Sequence, residues 1–198
     1  MRYFSYTDKE TELLARCDEK LGDFIDKIGH IDRIVFDDVF EGLCYNIVGQ
    51  QLSMKACETL WGKLVSALGD ITPEGCSDPE KLRACGLSQS KAECISAVAQ
   101  KYISGSLSDE MLRALPDEEI IKALTAIKGI GVWTAEMALI FCLERKDVLS
   151  LSDYGIRKGL YVLHGIEMTD KKTMNSFIER YSPYGTIASF YLWEIARI

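Results

Sequence analysis

Apolar residues recur every three or four positions along most of the chain, which is the spacing of one face of an α-helix. No stretch shows the sustained alternation of apolar and polar residues that marks a half-buried strand. Thr7 and Glu10 have the spacing of a capping box, which predicts a first helix reaching about residue 28. The pattern therefore predicts an all-α protein of roughly ten helices joined by short loops.

Caps and helix breakers set the bounds of the other predicted helices. The segment Gly49-Gln50-Gln51-Leu52 interrupts one apolar stretch, and loops are predicted over 69–79 and 144–152. The remaining helices are predicted from Asp37 or Asp38 to Val48, from Ser53 to Leu68, from Pro79, from Ser88 to just before Gly105, from Asp109, from Asp117, over 132–143, over 153–163, near 170–180 and over 183–197.

Composition narrows the class of protein. With 198 residues, 47% of them hydrophobic, the chain suits one compact domain or two small lobes. Its seven cysteines are scattered and include no CxxC pair, which argues against a disulfide framework, a zinc site or an iron–sulfur cluster. The longest uncharged apolar run, Met137 to Leu143, is far too short to span a membrane. The N-terminus has no signal-peptide pattern, so we expect a cytoplasmic protein.

The net charge of −7 counts against indiscriminate binding of nucleic acid. The charge is unevenly distributed, however. Residues 122–172 carry eight Lys or Arg against six Asp or Glu, so this segment is +2 and the remainder is −9. This local excess permits a small phosphate-facing patch and does not establish one.

The stretch "AIKGIGVWTAEM" (126–137) breaks a helical pattern with Gly129-Ile130-Gly131 and resumes a helix at once from Val132. The glycines have two interpretations. They permit an ordinary tight turn between two helices, or they let backbone N–H groups approach a phosphate with no side chain in the way. In the second case the helix dipole would assist and Thr134 would add a hydroxyl. Such a contact positions DNA without reading its sequence.

Four segments together resemble the helix-hairpin-helix DNA glycosylase superfamily, and within it the DNA-3-methyladenine glycosylase branch. The first contains the "IKGIGVWTA" core, the Asp-Val that follows the next helix, and an aspartate twenty residues after the Trp. The others are "IVGQQLSMKA" (47–56), "LRACGLSQSKAECI" (82–95) and "YSPYGTIASFYLW" (181–193). The resemblance covers roughly residues 40–195. It implies a two-lobed helical bundle with an active-site cleft between the lobes.

The resemblance implies that Asp153 is the catalytic acid. From the residues alone, an aspartate at a helix start has a simpler interpretation as an N-cap. Yet breaking an N-glycosidic bond builds positive charge on the sugar, and a nearby carboxylate stabilises that charge. One acid is enough when the leaving base is alkylated and already cationic, and no second catalytic carboxylate is evident.

The family's base pocket maps onto Tyr184 and Met137, and Trp133 and Tyr45 are further candidates for it. Trp133 is either a core aromatic or a face on which a flipped cationic base stacks. Met137 departs from the family, some of whose members have an aromatic residue there, and Tyr45 is better explained as a core residue than as a pocket residue. The bifunctional branch has a nucleophilic Lys at the position of Trp133, so the resemblance implies a monofunctional enzyme.

The resemblance also assigns a wedge and a cation site. Gln51, with Leu52 beside it, maps onto the tip that fills the gap left by a flipped base; the alternative is an exposed interhelical loop. The backbone carbonyls of Thr125, Ile127 and Ile130 map onto a structural site for Na+ or K+ bridging to phosphate. No other cofactor is expected.

The sequence therefore predicts a monofunctional glycosylase that excises alkylated purines, of the 3-methyladenine and 7-methylguanine type, from double-stranded DNA. The expected lobes are 1–36 with 146–198, and 37–145 with the hairpin at about 117–143. We expect a monomer with no membrane partner. The alternatives are a related glycosylase for oxidised or deaminated bases, or a non-catalytic binder of damaged DNA, which would be expected to have lost the acid.

Overall fold

A computed structural model describes residues 2–198. Within this range the chain forms twelve helices and one antiparallel ladder of two strands, which confirms the predicted all-α class. The elements are β1 (Arg2–Tyr3), α1 (Asp8–Cys17), α2 (Glu19–Ile28), β2 (Ile34–Val35), α3 (Val39–Gly49), α4 (Met54–Leu68), α5 (Pro79–Ala84), α6 (Gln89–Ile103), α7 (Asp109–Ala114), α8 (Asp117–Thr125), α9 (Val132–Phe141), α10 (Tyr154–His164), α11 (Lys171–Tyr181) and α12 (Gly185–Ile195).

The described residues form two compact units. The first contains the residues up to Val35 together with Glu144–Ile198, and we call it the terminal unit. The second contains Phe36–Leu143, and we call it the central unit. None of the helices described here is both long and apolar enough to cross a membrane.

The start of the terminal unit departs from the sequence prediction at Asp18. The prediction of a single helix reaching residue 28 is wrong. Asp18 has an extended backbone and caps α2 by accepting the N–H of Leu21 at 3.2 Å. The same carboxylate accepts the hydroxyl of Tyr181 at 2.8 Å and lies 3.0 Å from Nε2 of His164. These partners, which are distant in sequence, favour a helix cap at Asp18 over a continuous helix. The apolar pattern around Asp18 carries no information about them.

Glu10 links α1 to the segment that leads into α10. As the capping box predicts, its carboxylate accepts the backbone N–H of Thr7, at 2.9 Å. It also accepts a hydrogen bond from Nζ of Lys146 at 2.5 Å. The hydrogen bond from Lys146, followed by the one from the hydroxyl of Thr7, lowers the pKa of Glu10 to about 2. The N-terminal helix therefore holds one end of the loop that precedes Asp153.

Helices α10 and α12 approach each other closely at Gly159. A Cβ at this position would overlap the carbonyl oxygen of Leu192, so only glycine permits the contact. Phe190 and Tyr191 of α12 are almost completely buried. The packing fixes α10, whose first turn carries Asp153, against α12.

The central unit is built around α3. Leu43, Ile47 and Val48 have no exposed surface, because α4, α6 and α9 all pack against this helix. Asp38, one of the two starts that the sequence allowed, caps it by accepting the N–H of Glu41 at 2.8 Å. Burial on nearly all sides fixes the direction in which the end of α3 enters the loop at Gly49.

The close approach at Gly159 yields a stability prediction. Gly159→Ala should lower the free energy of unfolding by about 1–3 kcal/mol, the usual cost of overpacking a core. Gly62→Ala is the matched control, because an added Cβ there meets nothing within 4 Å in helix α4. It should raise stability by about 0.5–1 kcal/mol. Urea unfolding followed by circular dichroism measures both, and equal effects would refute the proposed contact.

Candidate functional site

Asp153 is the N-cap of α10 and lies half-buried in the terminal unit. Its Oδ1 accepts the backbone N–H of Ile156 at 2.9 Å. The same oxygen accepts the indole N–H of Trp193 at 3.0 Å. Capping, the simpler interpretation, is thus part of what this residue does. The second donor fixes the plane of the carboxylate, which capping does not require.

Trp193 reaches Asp153 because Gly155 leaves room for it. A Cβ at residue 155 would lie 2.8 Å from Cδ1 of the indole and 3.1 Å from Oδ1 of Asp153. The sequence analysis did not assign Trp193 a role, although it ends the segment 181–193 that carries the resemblance. The available signal was a glycine two positions after the aspartate, which indicates the close approach of a large group.

The segment 145–149, which we call the strap, leads from the central unit to Asp153. Thr186, in the first turn of α12, donates its hydroxyl to the carbonyl of Arg145 at 2.6 Å and its N–H to that of Lys146 at 3.0 Å. Its hydroxyl oxygen accepts the N–H of Val148 at 3.0 Å. Ser189 donates its hydroxyl to the carbonyl of Val148 at 3.1 Å. The strap is therefore fixed along its length by one helix.

Asp147, in the strap, caps α12 from outside that helix. Its Oδ1 accepts the N–H of Gly185 at 3.2 Å, and its Oδ2 accepts the hydroxyl of Ser182 at 2.6 Å. A carboxylate at a helix N-terminus is stabilised by the helix dipole. This contact gives a physical reason for the Asp-Val pair that contributes to the resemblance. Tyr184, one predicted pocket residue, is the half-buried N-cap residue of α12.

In the central unit, α8 and α9 form the predicted helical hairpin. Gly129 has a φ of +98°, and an added Cβ would lie 2.9 Å from Sγ of Cys94. Gly131 has a φ of −93°, and a Cβ there meets nothing within 4 Å. The first glycine is thus required by the fold, whereas the second keeps the surface above the backbone clear. A glycine at each of the two positions therefore has a different physical reason.

The first turn of α9 presents backbone N–H groups that lack acceptors within the helix. Val132, in this turn, is 50% exposed, and Trp133 is half-buried. Ile130 contributes less, since its N–H donates to the carbonyl of Ile127 at 3.0 Å and its side chain is buried. The prediction that the hydroxyl of Thr134 faces a phosphate does not fit the structure. Thr134 is 2% exposed, and its hydroxyl oxygen accepts a hydrogen bond from Gln50.

Two other predicted pocket residues lie in the packing of the central unit. Met137 is 3% exposed on α9, so it is a core residue and forms no wall of an open pocket in this structure. Tyr45 is half-buried, with its ring edge-on to Trp61 at a centroid distance of 5.3 Å and tilted against Phe36 at 5.2 Å. Burial, with a smaller effect of Cys57, raises the pKa of Tyr45 to about 12.

The predicted wedge lies in the loop 49–53, which we call the wedge loop. Gln51 is exposed and has a φ of +56°, a left-handed conformation that costs energy for a residue other than glycine. Leu52 is 39% exposed beside it. An exposed polar side chain in a turn between two helices has the form that a wedge requires.

The predicted cation site consists of backbone carbonyls at the hairpin turn. The carbonyl oxygen of Ile127 accepts the N–H of Ile130 at 3.0 Å. A monovalent cation at the carbonyls of Thr125, Ile127 and Ile130 stays a prediction of the family resemblance. No group of three His, Cys, Asp or Glu side chains that could hold a metal ion occurs in residues 2–198.

Comparison with known proteins identifies the class. Residues 44–183 match the family model described as HhH-GPD superfamily base excision DNA repair protein, and the chain belongs to this superfamily. DNA-3-methyladenine glycosylase 1 of Schizosaccharomyces pombe is 37% identical over 166 residues, covering 80% of this chain and 73% of the relative.

Two solved structures have the same fold over nearly the full chain. A DNA-3-methyladenine glycosidase from Bacillus halodurans is 37% identical, with a TM-score of 0.82 over 99% of this chain and 93% of the other. The 3-methyladenine DNA glycosylase of Schizosaccharomyces pombe, in complex with abasic DNA, is 33% identical, with a TM-score of 0.87 over 96% and 97%.

The two hairpin glycines yield a prediction that separates their roles. Gly129→Ala should lower the free energy of unfolding by about 1–3 kcal/mol, because its φ is positive and its Cβ meets Cys94. Gly131→Ala should change stability by less than about 1 kcal/mol, the scale of a helix-cap substitution. Thermal and urea unfolding of both variants test this. A Gly129→Ala variant as stable as the wild type would contradict it.

Proposed function

We propose that this protein is a monofunctional DNA glycosylase that removes alkylated purines, of the 3-methyladenine and 7-methylguanine type, from double-stranded DNA. The observation that carries the proposal is the carboxylate of Asp153, which Ile156 and Trp193 fix through one oxygen. Membership of a base excision repair superfamily supports it, as do the relatives named 3-methyladenine glycosylases.

The reaction breaks the bond between C1′ of the deoxyribose and the ring nitrogen of the base. Its electron pair leaves with the alkylated purine and neutralises the positive charge that alkylation had introduced. The sugar becomes cationic, and the carboxylate of Asp153 stabilises that charge. A water molecule then adds to C1′ and loses its proton to Asp153 or to solvent, so the products are a free base and an abasic site.

Trp133, in the central unit, offers an aromatic group and no amine. An indole face attracts a cationic purine through its quadrupole, and base stacking on an aromatic ring is worth about 1–3 kcal/mol. That energy is comparable with the cost of flipping a base out of the duplex, which is least for a damaged pair. With no lysine at this position to form a Schiff base, the strand stays unbroken.

The hairpin grips the DNA backbone by the exposed N–H groups at the start of α9. Because these donors belong to the main chain, the grip is independent of base sequence and needs few cationic side chains. A chain with a net charge of −7 can therefore bind DNA locally. A monovalent cation held by the carbonyls of Thr125, Ile127 and Ile130 would add positive charge there. The protein acts as a monomer.

The main test is Asp153→Asn. An asparagine Oδ1 still accepts from Ile156 and Trp193, so folding and DNA affinity should stay within about two-fold of the wild type. An amide cannot neutralise the sugar cation, and excision should fall by about 10²–10³-fold or more. Single-turnover release of 3-methyladenine from a defined duplex measures this. Near-normal release by the variant would remove Asp153 from the mechanism.

The hairpin grip is tested at Gly131, where side chains fit the fold. Gly131→Val should weaken binding to damaged and undamaged duplexes alike by about ten-fold, because one or two charge-assisted hydrogen bonds are blocked. Gly131→Ala should have a smaller effect in the same direction. Fluorescence anisotropy measures the affinities of both variants. Unchanged affinity in a folded Gly131→Val variant would mean that the hairpin is only a turn.

A further inference from the structure

Gln50, directly before the predicted wedge residue, connects the wedge loop to the hairpin. Its side-chain Nε2 donates one hydrogen bond to the carbonyl of Gly129 at 3.0 Å and another to Oγ1 of Thr134 at 2.9 Å. Thr134 is almost completely buried, so this hydroxyl is fixed. Both N–H groups of one amide are thus used to join two segments about 80 residues apart in sequence.

Lys91 holds the same loop from the other side. Its ammonium donates to the carbonyls of Val48 and Gln50, both at 2.8 Å. These carbonyls lie at the C-terminal end of α3, where a helix lacks internal donors and a cation is favoured by the dipole. Lys91 is half-buried, and this burial lowers the pKa of its ammonium group. The positive charge of Lys91 is therefore engaged by carbonyl groups of the protein itself.

The tip residue that follows these contacts has an unfavourable backbone conformation. Gln51 has a φ of +56°, and such a conformation persists only where the surrounding structure determines it. The hydrogen bond from the N–H of Leu52 to the carbonyl of Gly49, at 3.1 Å, closes the turn. The contacts of Gln50 and Lys91 fix the chain immediately before it.

We propose that Gln50 and Lys91 are positioning residues that present Gln51 for insertion into the duplex and couple it to the phosphate-binding hairpin. Gripping the backbone and filling the gap left by a flipped base then occur as one rigid movement of the central unit. This inference rests on the proposed function, because it assumes that Gln51 enters DNA. It assigns no contact between Gln50 or Lys91 and the substrate.

The direct test follows the stack around an abasic site without requiring catalysis. The probe is a duplex with a tetrahydrofuran abasic analogue and a neighbouring 2-aminopurine, whose fluorescence reports a disturbed stack. Saturating wild-type protein should change the signal, whereas Gln51→Ala should lose most of the change. Gln50→Ala should match Gln51→Ala, and the double variant should be no worse than either, because both act through one insertion.

Conservative variants separate positioning from general packing. Thr134→Ser keeps the hydroxyl and should behave as the wild type, while Thr134→Val should resemble Gln50→Ala. Lys91→Arg should keep most of the signal that Lys91→Met loses. Gln100→Ala, an exposed glutamine elsewhere on α6, is the matched control and should change nothing. Circular dichroism establishes that each variant is folded.

Excision supplies an independent arm. Gln50→Ala should slow single-turnover excision about ten-fold on a paired lesion and leave it unchanged on a single-stranded one, where no stack has to be opened. If the wild-type protein releases no alkylated base, the proposed function is refuted. The fluorescence assay still tests the positioning role of Gln50 and Lys91, because it requires no catalysis. A Gln50→Ala signal like that of the wild type, additive losses in the double variant, or no wild-type response would overturn the inference.

Discussion

One oxygen of Asp153 accepts two hydrogen bonds, from the N–H of Ile156 and from the indole of Trp193. Much of the terminal unit serves to make that arrangement possible. Gly159 lets α10 and α12 meet at backbone distance, Gly155 leaves room for the indole, and α12 fixes the strap that leads to Asp153. A carboxylate held by donors from its own helix and from a second helix needs little reorganisation as charge develops on a substrate, which is the requirement for electrostatic catalysis.

The central unit differs, because main-chain groups and side-chain amides take the place that lysines have on the DNA-binding surface of a basic protein. The first turn of α9 has main-chain N–H groups without acceptors in the helix, which suit phosphate, whereas Gln50 and Lys91 make internal contacts. Such a surface is compatible with an acidic chain, because the attraction is short-ranged and confined to one turn. It also explains why overall charge is a poor guide to DNA binding in this protein.

The sequence predicted the parts of the fold that depend on neighbouring residues. Caps at Ser53 and Ser88 are predictable because the capping side chain bonds its own first turn. The break at Asp18 was missed, since its stabilising partner Tyr181 is 163 positions away. For the same reason Trp193 and Gln50 had no assigned role. The site assignments depended on the family resemblance, because spacing alone does not distinguish a cap from a catalytic carboxylate.

The central claim is that a single fixed carboxylate, with no amine nucleophile, is sufficient to release an already cationic base. The most direct measurement is product analysis of alkylated DNA incubated with the wild-type protein, in the presence and absence of borohydride. The account predicts free 3-methyladenine and 7-methylguanine by chromatography, an unbroken strand carrying abasic sites, and no trapped protein–DNA adduct. Adduct formation in high yield, or no release of either base, would contradict it.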